Sequence, residues 1–496
     1  MPDLPDLIRE AFSPDRFEAC GRQLVTLLTE HLRNVMSGTS PVQNWRPPPA
    51  NIADASAWLD SAPAGSDHDR FATLVREMLD RGQNLHHPHY IGHQVPGSAP
   101  LAALFDFVGA VTNQVMAVYE MGPWATAVER ALIERLGARF GLMEGTFSGV
   151  VTHGGSLANL TALLTARNVM LPGAWEQGSG RPGRPPMLVV QSDAHYGIAR
   201  SAGILGLGTR QIVRIPLDAQ RRMDVAALDQ TLTNFRTLGQ PIVAVVACSG
   251  ATPTGAFDPL EPIADVCERH RVWLHVDAAH GGGAIFSERN ATLLSGLNRA
   301  DSFICDAHKM LFVPALCAFV FYRQREHRFA AFQQDAPYLF DPTAPGDTAE
   351  FDSGLTTLEC TKRSAAYGLW GLWSLFGPDL FGQLVDHTFG LAHRFWELLA
   401  EASDFTPLHE PQGNIVCFRY VPTALRRAPI AEVGRYNQVL RRRLLEAGQY
   451  YIVQTTLNEA PALRTTFMNP LTTEADLQGL LEAIREAGRS TPPSHG

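Results

Sequence analysis

The rhythm of apolar positions changes twice along the 496 residues. Up to about residue 100, segments such as RQLVTLLTEHLRNVM and DRFATLVREMLDRG repeat apolar residues every three to four positions, which predicts helices. The stretch SPVQNWRPPPA between them is polar and proline-rich and reads as an arm or linker. Helical spacing resumes from about 101, and ATAVERALIERLGARFG predicts an amphipathic helix stopped by Gly141. The middle third then switches to short β-branched runs: MLVVQSD, RQIVRIP, PIVAVVACS, VWLHVD, DSFICD and ALCAFVFY. Helical or loop segments separate most of them, so the pattern predicts an α/β domain with a mostly parallel central sheet flanked by helices. From 376 onward a long helical segment, the strand-like NIVCFRYVP and LRTTFMN, and the helical EADLQGLLEAIREAG predict a small α+β domain. The expected division is therefore an N-terminal helical segment and arm (1–100), a large α/β domain (101–375) and a small C-terminal domain (376–496).

Composition narrows the function classes. An apolar fraction of 45% and a charged fraction of 18% are those of a globular chain, and a net charge of −9 offers no basic surface for nucleic acid. The most membrane-like stretch, LAALFDFVGAVTNQVM, is interrupted by Asp106, Asn113 and Gln114, so no membrane span is expected. The N-terminus carries Asp3 and Asp6 where a signal peptide needs basic residues. Seven dispersed cysteines form no CxxC pair, which points to reduced thiols and a cytoplasmic location. The run NLHHPHYIGHQ looks metal-like, but Pro88 and Gly92 break the helix that would align His89 with His93. A pocket-lining loop is the stronger reading there, and no metal is expected.

Four segments carry candidate chemistry. In VVTHGGSLANL, a strand runs into Gly154-Gly155-Ser156 and a helix follows, which suits a phosphate as well as it suits a plain turn capped by Ser156. In RVWLHVDAAHGGG a buried strand ends in Asp277, where ligands of open parallel sheets sit. In DSFICDAHKMLF, Lys309 lies between apolar runs, as a Schiff-base lysine or a snorkelling one would. In QSDAHYG, His195 follows a strand end and could stack on a planar ring or move a proton. Together they provide a phosphate cradle, an acid, an amine and a stacking ring, the set that pyridoxal phosphate requires. A serine-hydrolase elbow at Ser156 fails because Ala158 stands where GxSxG needs its last glycine.

The order GGS, DAH, HVDAAHGG and DAHKM, followed by PALC, resembles the group II pyridoxal-phosphate-dependent amino-acid decarboxylases. That family includes glutamate, aromatic amino-acid, histidine and 2,4-diaminobutyrate decarboxylases, and the resemblance runs from about residue 88 to the C-terminal helix. It implies the type I pyridoxal-enzyme fold, a homodimer with shared active sites, and conversion of an L-amino acid to its amine and CO2. By the same resemblance Lys309 would carry pyridoxal 5'-phosphate, Asp277 would pair with its ring nitrogen and His195 would stack on its face. Gly155, Ser156 and His308 would contact the phosphate, Thr252 would lie near the ring and phenolic oxygen, and Thr361 would reach the neighbouring subunit's phosphate. Tyr338 would deliver a proton to the substrate carbon. His89, Gln94 and Lys362 would meet the substrate, Lys362 standing at a usual arginine position. Asp306 replaces the asparagine of the common NPHK wording. The DAHKML and PALC wording favours a 2,4-diaminobutyrate-like substrate. The alternatives are an aldehyde-forming oxidative decarboxylase, another type I lyase or aminotransferase, or a scaffold that has lost catalysis.

Overall fold

The computed structural model describes residues 5–60, 67–180, 183–332 and 350–490. They fall into two compact units, one drawn from Met1–His93, Leu398–Thr406 and Phe418–Gly496, the other from Gln94–Glu397 and Pro407–Cys417.

The second unit is built on a seven-stranded sheet: β1 (Ser148–Thr152), β2 (Met187–Gln191), β3 (Ile212–Ile215), β4 (Ile242–Cys248), β5 (Leu274–Asp277), β6 (Ser302–Asp306) and β7 (Ala318–Tyr322), in the order β1-β7-β6-β5-β4-β2-β3. β7 is antiparallel to both its neighbours, and every other adjacent pair is parallel. This is the mostly parallel sheet that the apolar runs predict. Val243 to Ala247 of β4 are all fully buried, as a strand covered on both faces requires, which is why these runs are continuously apolar and not alternating.

Local chemistry sets the helix ends. Asp224 accepts the N–H groups of Ala226 and Ala227 to start the helix Val225–Leu238, and Gly239, in the left-handed region, stops it. The helix Gly155–Met170 lies against the sheet through Ala158, Ala162 and Leu163, which share a core with Val190, Val246 and Val320.

In the first unit the helices Pro14–Met36 and Asp67–Arg81 pack through Leu27, Ala72 and Val75. A four-stranded sheet, most of whose residues belong to this unit, is formed by β8 (Phe405–Pro407), β9 (Ile415–Tyr420), β10 (Val453–Leu457) and β11 (Ala460–Thr466) in the order β8-β9-β11-β10. The helix Glu474–Arg489 opens with a reciprocal capping box between Thr473 and Asp476. β10 and the helix Ile430–Ala447 are additions to the pattern read from sequence. VQTTL of β10 is too polar to stand out as a strand, and the arginines 441–443 obscure a helical spacing of Val433, Tyr436, Leu440 and Leu444.

Candidate active site

The carboxyl ends of the parallel strands converge on a cavity of about 390 Å3 in the large unit. Its lining includes Gly154, Gly155 and Ser156 after β1, His195 after β2, Thr252 after β4, Asp277 at the end of β5, and Asp306, His308 and Lys309 at the end of β6. Those are the strand ends at which an open α/β sheet binds ligands.

The cradle is a backbone construction. Gly154 has φ +103 and ψ 156, a conformation essentially reserved for glycine, and the helix starts at Gly155. Ser156 is therefore the second helical residue and not the cap, so the plain-turn reading of that serine is replaced. The first helical N–H groups, those of Gly155 and Ser156, have no preceding carbonyl of the helix to bond to. Gly155 has a second reason to be glycine: a Cβ there would stand 2.7 Å from Oδ2 of Asp306.

Asp277 is 9% exposed. Its Oδ2 accepts the Nδ2–H of Asn159 at 3.1 Å and its Oδ1 accepts the N–H of Ala279 at 3.2 Å. Neutral donors thus hold it, and among the described residues no ion pair to it is formed. Lys309 Nζ lies 3.0 Å from Oδ2 of Asp306, whose Oδ1 is buried with no partner among the described residues. His308 is turned by its Nδ1, 2.9 Å from the carbonyl oxygen of Cys317. His195 caps the helix Tyr196–Ile204, its Nδ1 accepting the N–H of Gly197 at 3.1 Å. That bond leaves Nε2 to carry the proton of the neutral ring, and burial lowers the His195 pKa, opposed by the charge of Asp277.

Other expectations lie elsewhere. Lys362 does not reach the cavity: it is 2% exposed, and its Nζ is bound to Oε2 of Glu129 at 2.7 Å and to the carbonyl oxygen of Val151 at 2.9 Å. A lysine closed into that buried pair is not offered to a substrate carboxylate, which corrects its expected role. Thr361 is exposed and lies outside the cavity lining. Gln94 is half-buried beside the lining residue Val95. His89 belongs to the other unit, where it stacks on Tyr450 and bonds Asp476 and the carbonyl oxygen of Gln449. Tyr338 lies outside the described residues.

One lining residue that sequence reading passed over is Asn159, which touches Asp277 directly. The signal was available, because Gly155 and Asn159 are four apart on one helix and share a face.

The donor set fits a phosphorylated pyridine aldehyde. The cradle left open by two glycines takes an anion, Asp277 provides a carboxylate not committed to a cation, Lys309 provides the amine and His195 a planar ring. Pyridoxal 5'-phosphate, when bound, supplies the electron sink for the pair left behind as CO2 departs.

Comparison with known proteins agrees. Residues 66–421 match the model of the pyridoxal-dependent decarboxylase conserved domain. The chain is 29% identical to the acidic amino acid decarboxylase GADL1 of Bos taurus, over 90% of this chain and 86% of that protein. It is 27% identical to the L-2,4-diaminobutyrate decarboxylase of Acinetobacter baumannii, over 84% of this chain and 83% of that one. The crystal structure of mouse CSAD superimposes with a TM-score of 0.88 at 27% identity, covering 97% of this chain and 100% of that chain. With the family model spanning well over half of its length and the cavity equipped for the cofactor, this chain belongs to the pyridoxal-phosphate-dependent amino-acid decarboxylases.

Proposed function

We propose that this carboxy-lyase converts an L-amino acid with a cationic or uncharged side chain, of the 2,4-diaminobutyrate type, to its amine. The observation that carries the reading is the charge of the cavity lining. Among the described residues the lining holds two carboxylates, Asp277 and Asp306, no arginine, and Lys309 as its one lysine. A substrate with a second carboxylate would find no cation to spare, and a buried unpaired charge is costly. Similarity alone does not choose, since the two relatives are named for acidic and for diaminobutyrate substrates.

In this reading Lys309 anchors the cofactor through Nζ, Asp277 holds a proton at the pyridine nitrogen, and His195 covers the ring face. Gly155, Ser156 and His308 take the phosphate, and Thr252 approaches the phenolic oxygen. Tyr338 returns a proton to the α-carbon, and Gln94 contributes to the substrate. The working form is a homodimer in which Thr361 completes the neighbouring phosphate site. An apolar surface in the large unit supports this: Leu104, Phe107, Val108 and Val111 of the helix Pro100–Thr112, with Trp124 and Leu358, are exposed. The cytoplasm is the proposed location, in keeping with seven cysteines of which none forms a disulfide. No helix among the described residues is long and apolar enough to cross a membrane.

The test is CO2 release from a panel of L-amino acids by the purified protein. Diaminobutyrate, ornithine, lysine or an aromatic acid should exceed glutamate and aspartate in kcat/KM by at least about tenfold, a 1.4 kcal/mol preference. Fastest turnover of an acidic substrate would reject the reading. Borohydride should fix the cofactor on Lys309. Replacing Tyr338 by Phe should leave CO2 release ahead of amine formation, with aldehyde and ammonia, formed at the expense of dioxygen, making up the difference. Equal, small losses of both would remove Tyr338 from the proton step.

A further inference from the structure

A line of buried polar groups runs through the sheet behind Asp277. Trp273, immediately before β5, and His275 and Asp277 on it alternate with Leu274 and Val276, so the three fall on one side. The parallel register sets His275 beside Ser302 of β6. Trp273 Nε1 donates to Ser302 Oγ at 3.0 Å, Ser302 Oγ lies 2.9 Å from His275 Nδ1, and His275 Nε2 lies 2.8 Å from Asn159 Oδ1. Asn159 Nδ2 then donates to Asp277 Oδ2 at 3.1 Å.

The proton positions follow from what each group can do. A carboxylate only accepts, so Asn159 must turn its NH2 toward Asp277 and its carbonyl oxygen toward His275. His275 Nε2 must therefore carry a hydrogen. An indole N–H only donates, so Ser302 Oγ accepts from Trp273, and in a neutral ring whose hydrogen is on Nε2 the bare Nδ1 accepts the hydrogen of Ser302. The one arrangement that uses each group in this way points every hydrogen the same way, from Trp273 to Asp277. It requires a neutral imidazole. His275 is fully buried, and desolvation lowers its pKa to about 4.

We propose that Asn159 and His275 are positioning residues: the one-way chain Trp273, Ser302, His275, Asn159 fixes the Asp277 carboxylate toward the pyridine nitrogen. The inference rests on the assignment of Asp277 to that nitrogen. It adds that the helix Gly155–Met170 sets both ends of the cofactor, cradling phosphate with its first turn and holding the acid with Asn159 one turn later. Bonds that polarise in series strengthen one another, and a directed series has no alternative orientation for Asn159 to adopt.

The test is the apparent Kd of apo-protein for pyridoxal 5'-phosphate and for its 1-deaza analogue, in which carbon replaces the ring nitrogen. The unsubstituted protein should prefer the natural cofactor by about tenfold or more, the scale of one charge-assisted hydrogen bond. Asn159→Asp keeps shape and the acceptor for His275 but cannot donate to Asp277, and Asn159→Leu removes both bonds. Each should cut the preference by about tenfold. His275→Leu should lower it about threefold, and His275→Gln, which can still accept from Ser302 and donate to Asn159, should restore it. Equal weakening toward both cofactors would reveal a purely structural role and overturn the proposal. So would an unchanged preference in folded Asn159 variants whose Asp277→Ala counterpart loses it. If neither the unsubstituted protein nor Asp277→Ala prefers the natural cofactor, the assignment of Asp277 itself falls.

Discussion

Asp277 and Asp306 end two neighbouring parallel strands and face one cavity, yet the chain treats them in opposite ways. Asp277 is held by an amide and a backbone N–H, donors that steady a negative charge without cancelling it. Asp306 already has a cation, the ammonium of Lys309 at 3.0 Å. On the proposed reading the first is an anion kept for an incoming positive charge. The second would then restrain the reacting lysine, and it stands beside the Gly154-Gly155 turn, where a carboxylate would oppose a phosphorylated ligand. Two acids of the same type, at equivalent positions, are thus separated by whether their partner is a neutral dipole or a fixed charge.

The largest expected effect breaks the first half of that contrast. Asp277→Ala should lower kcat by about a hundredfold to a thousandfold, as loss of a preorganised electrostatic partner does. A loss under fivefold in steady-state decarboxylation would mean that the ring nitrogen is held by something else. Asp306→Asn keeps the shape and removes the charge. It should change kcat by less than about tenfold while tightening apparent cofactor binding severalfold, because a like charge near the phosphate disappears. Weaker binding in a fluorescence titration of the Asp306→Asn apo-protein would show that Asp306 supports the phosphate site.

A smaller effect sharpens the contrast through its support. His275 has a folded-state pKa of about 4, below its unfolded value near 6.5. The unfolded chain therefore binds more protons between these pH values. The stability that neutral His275 contributes is whole above pH 6.5 and is lost as the pH falls toward 4. The loss is up to about 3 kcal/mol over that window. His275→Gln has nothing to titrate, so the difference in unfolding free energy between it and the unsubstituted protein should shrink or reverse from pH 7 to pH 4.5. A pH-independent difference in denaturant titrations would show that His275 is not held neutral.

What could be read from sequence follows from how local each signal is. The large sheet was legible because strands buried on both faces are written as uninterrupted apolar runs, and the cavity because four short segments carry glycine, acid, lysine and histidine at strand ends. Lys362 was misread because Glu129, which neutralises it, lies 233 positions away, and no local spacing reveals such a pairing. Asn159 and His275 are the intermediate case. The alternation of Trp273, His275 and Asp277 is plain in the sequence, but only the register of β5 on β6 and the docking of the helix reveal that these polar residues form one line. The helix Ile430–Ala447 was obscured by charge, although its apolar spacing is regular.

The position of β1 has a consequence for the order of events during synthesis. β1 stands at the edge of the large sheet, and among the described residues its one neighbour there is β7, roughly 170 residues later in the chain. At a typical elongation rate of about 5–20 residues per second, a ribosome needs on the order of ten to thirty seconds to supply that neighbour. Until then the strand that launches the Gly154-Gly155-Ser156 turn has no ladder to join, and long-range pairings of this kind are also slow to close. The nascent chain should therefore be unable to capture its cofactor until nearly two thirds of it has been made, however early the glycines emerge.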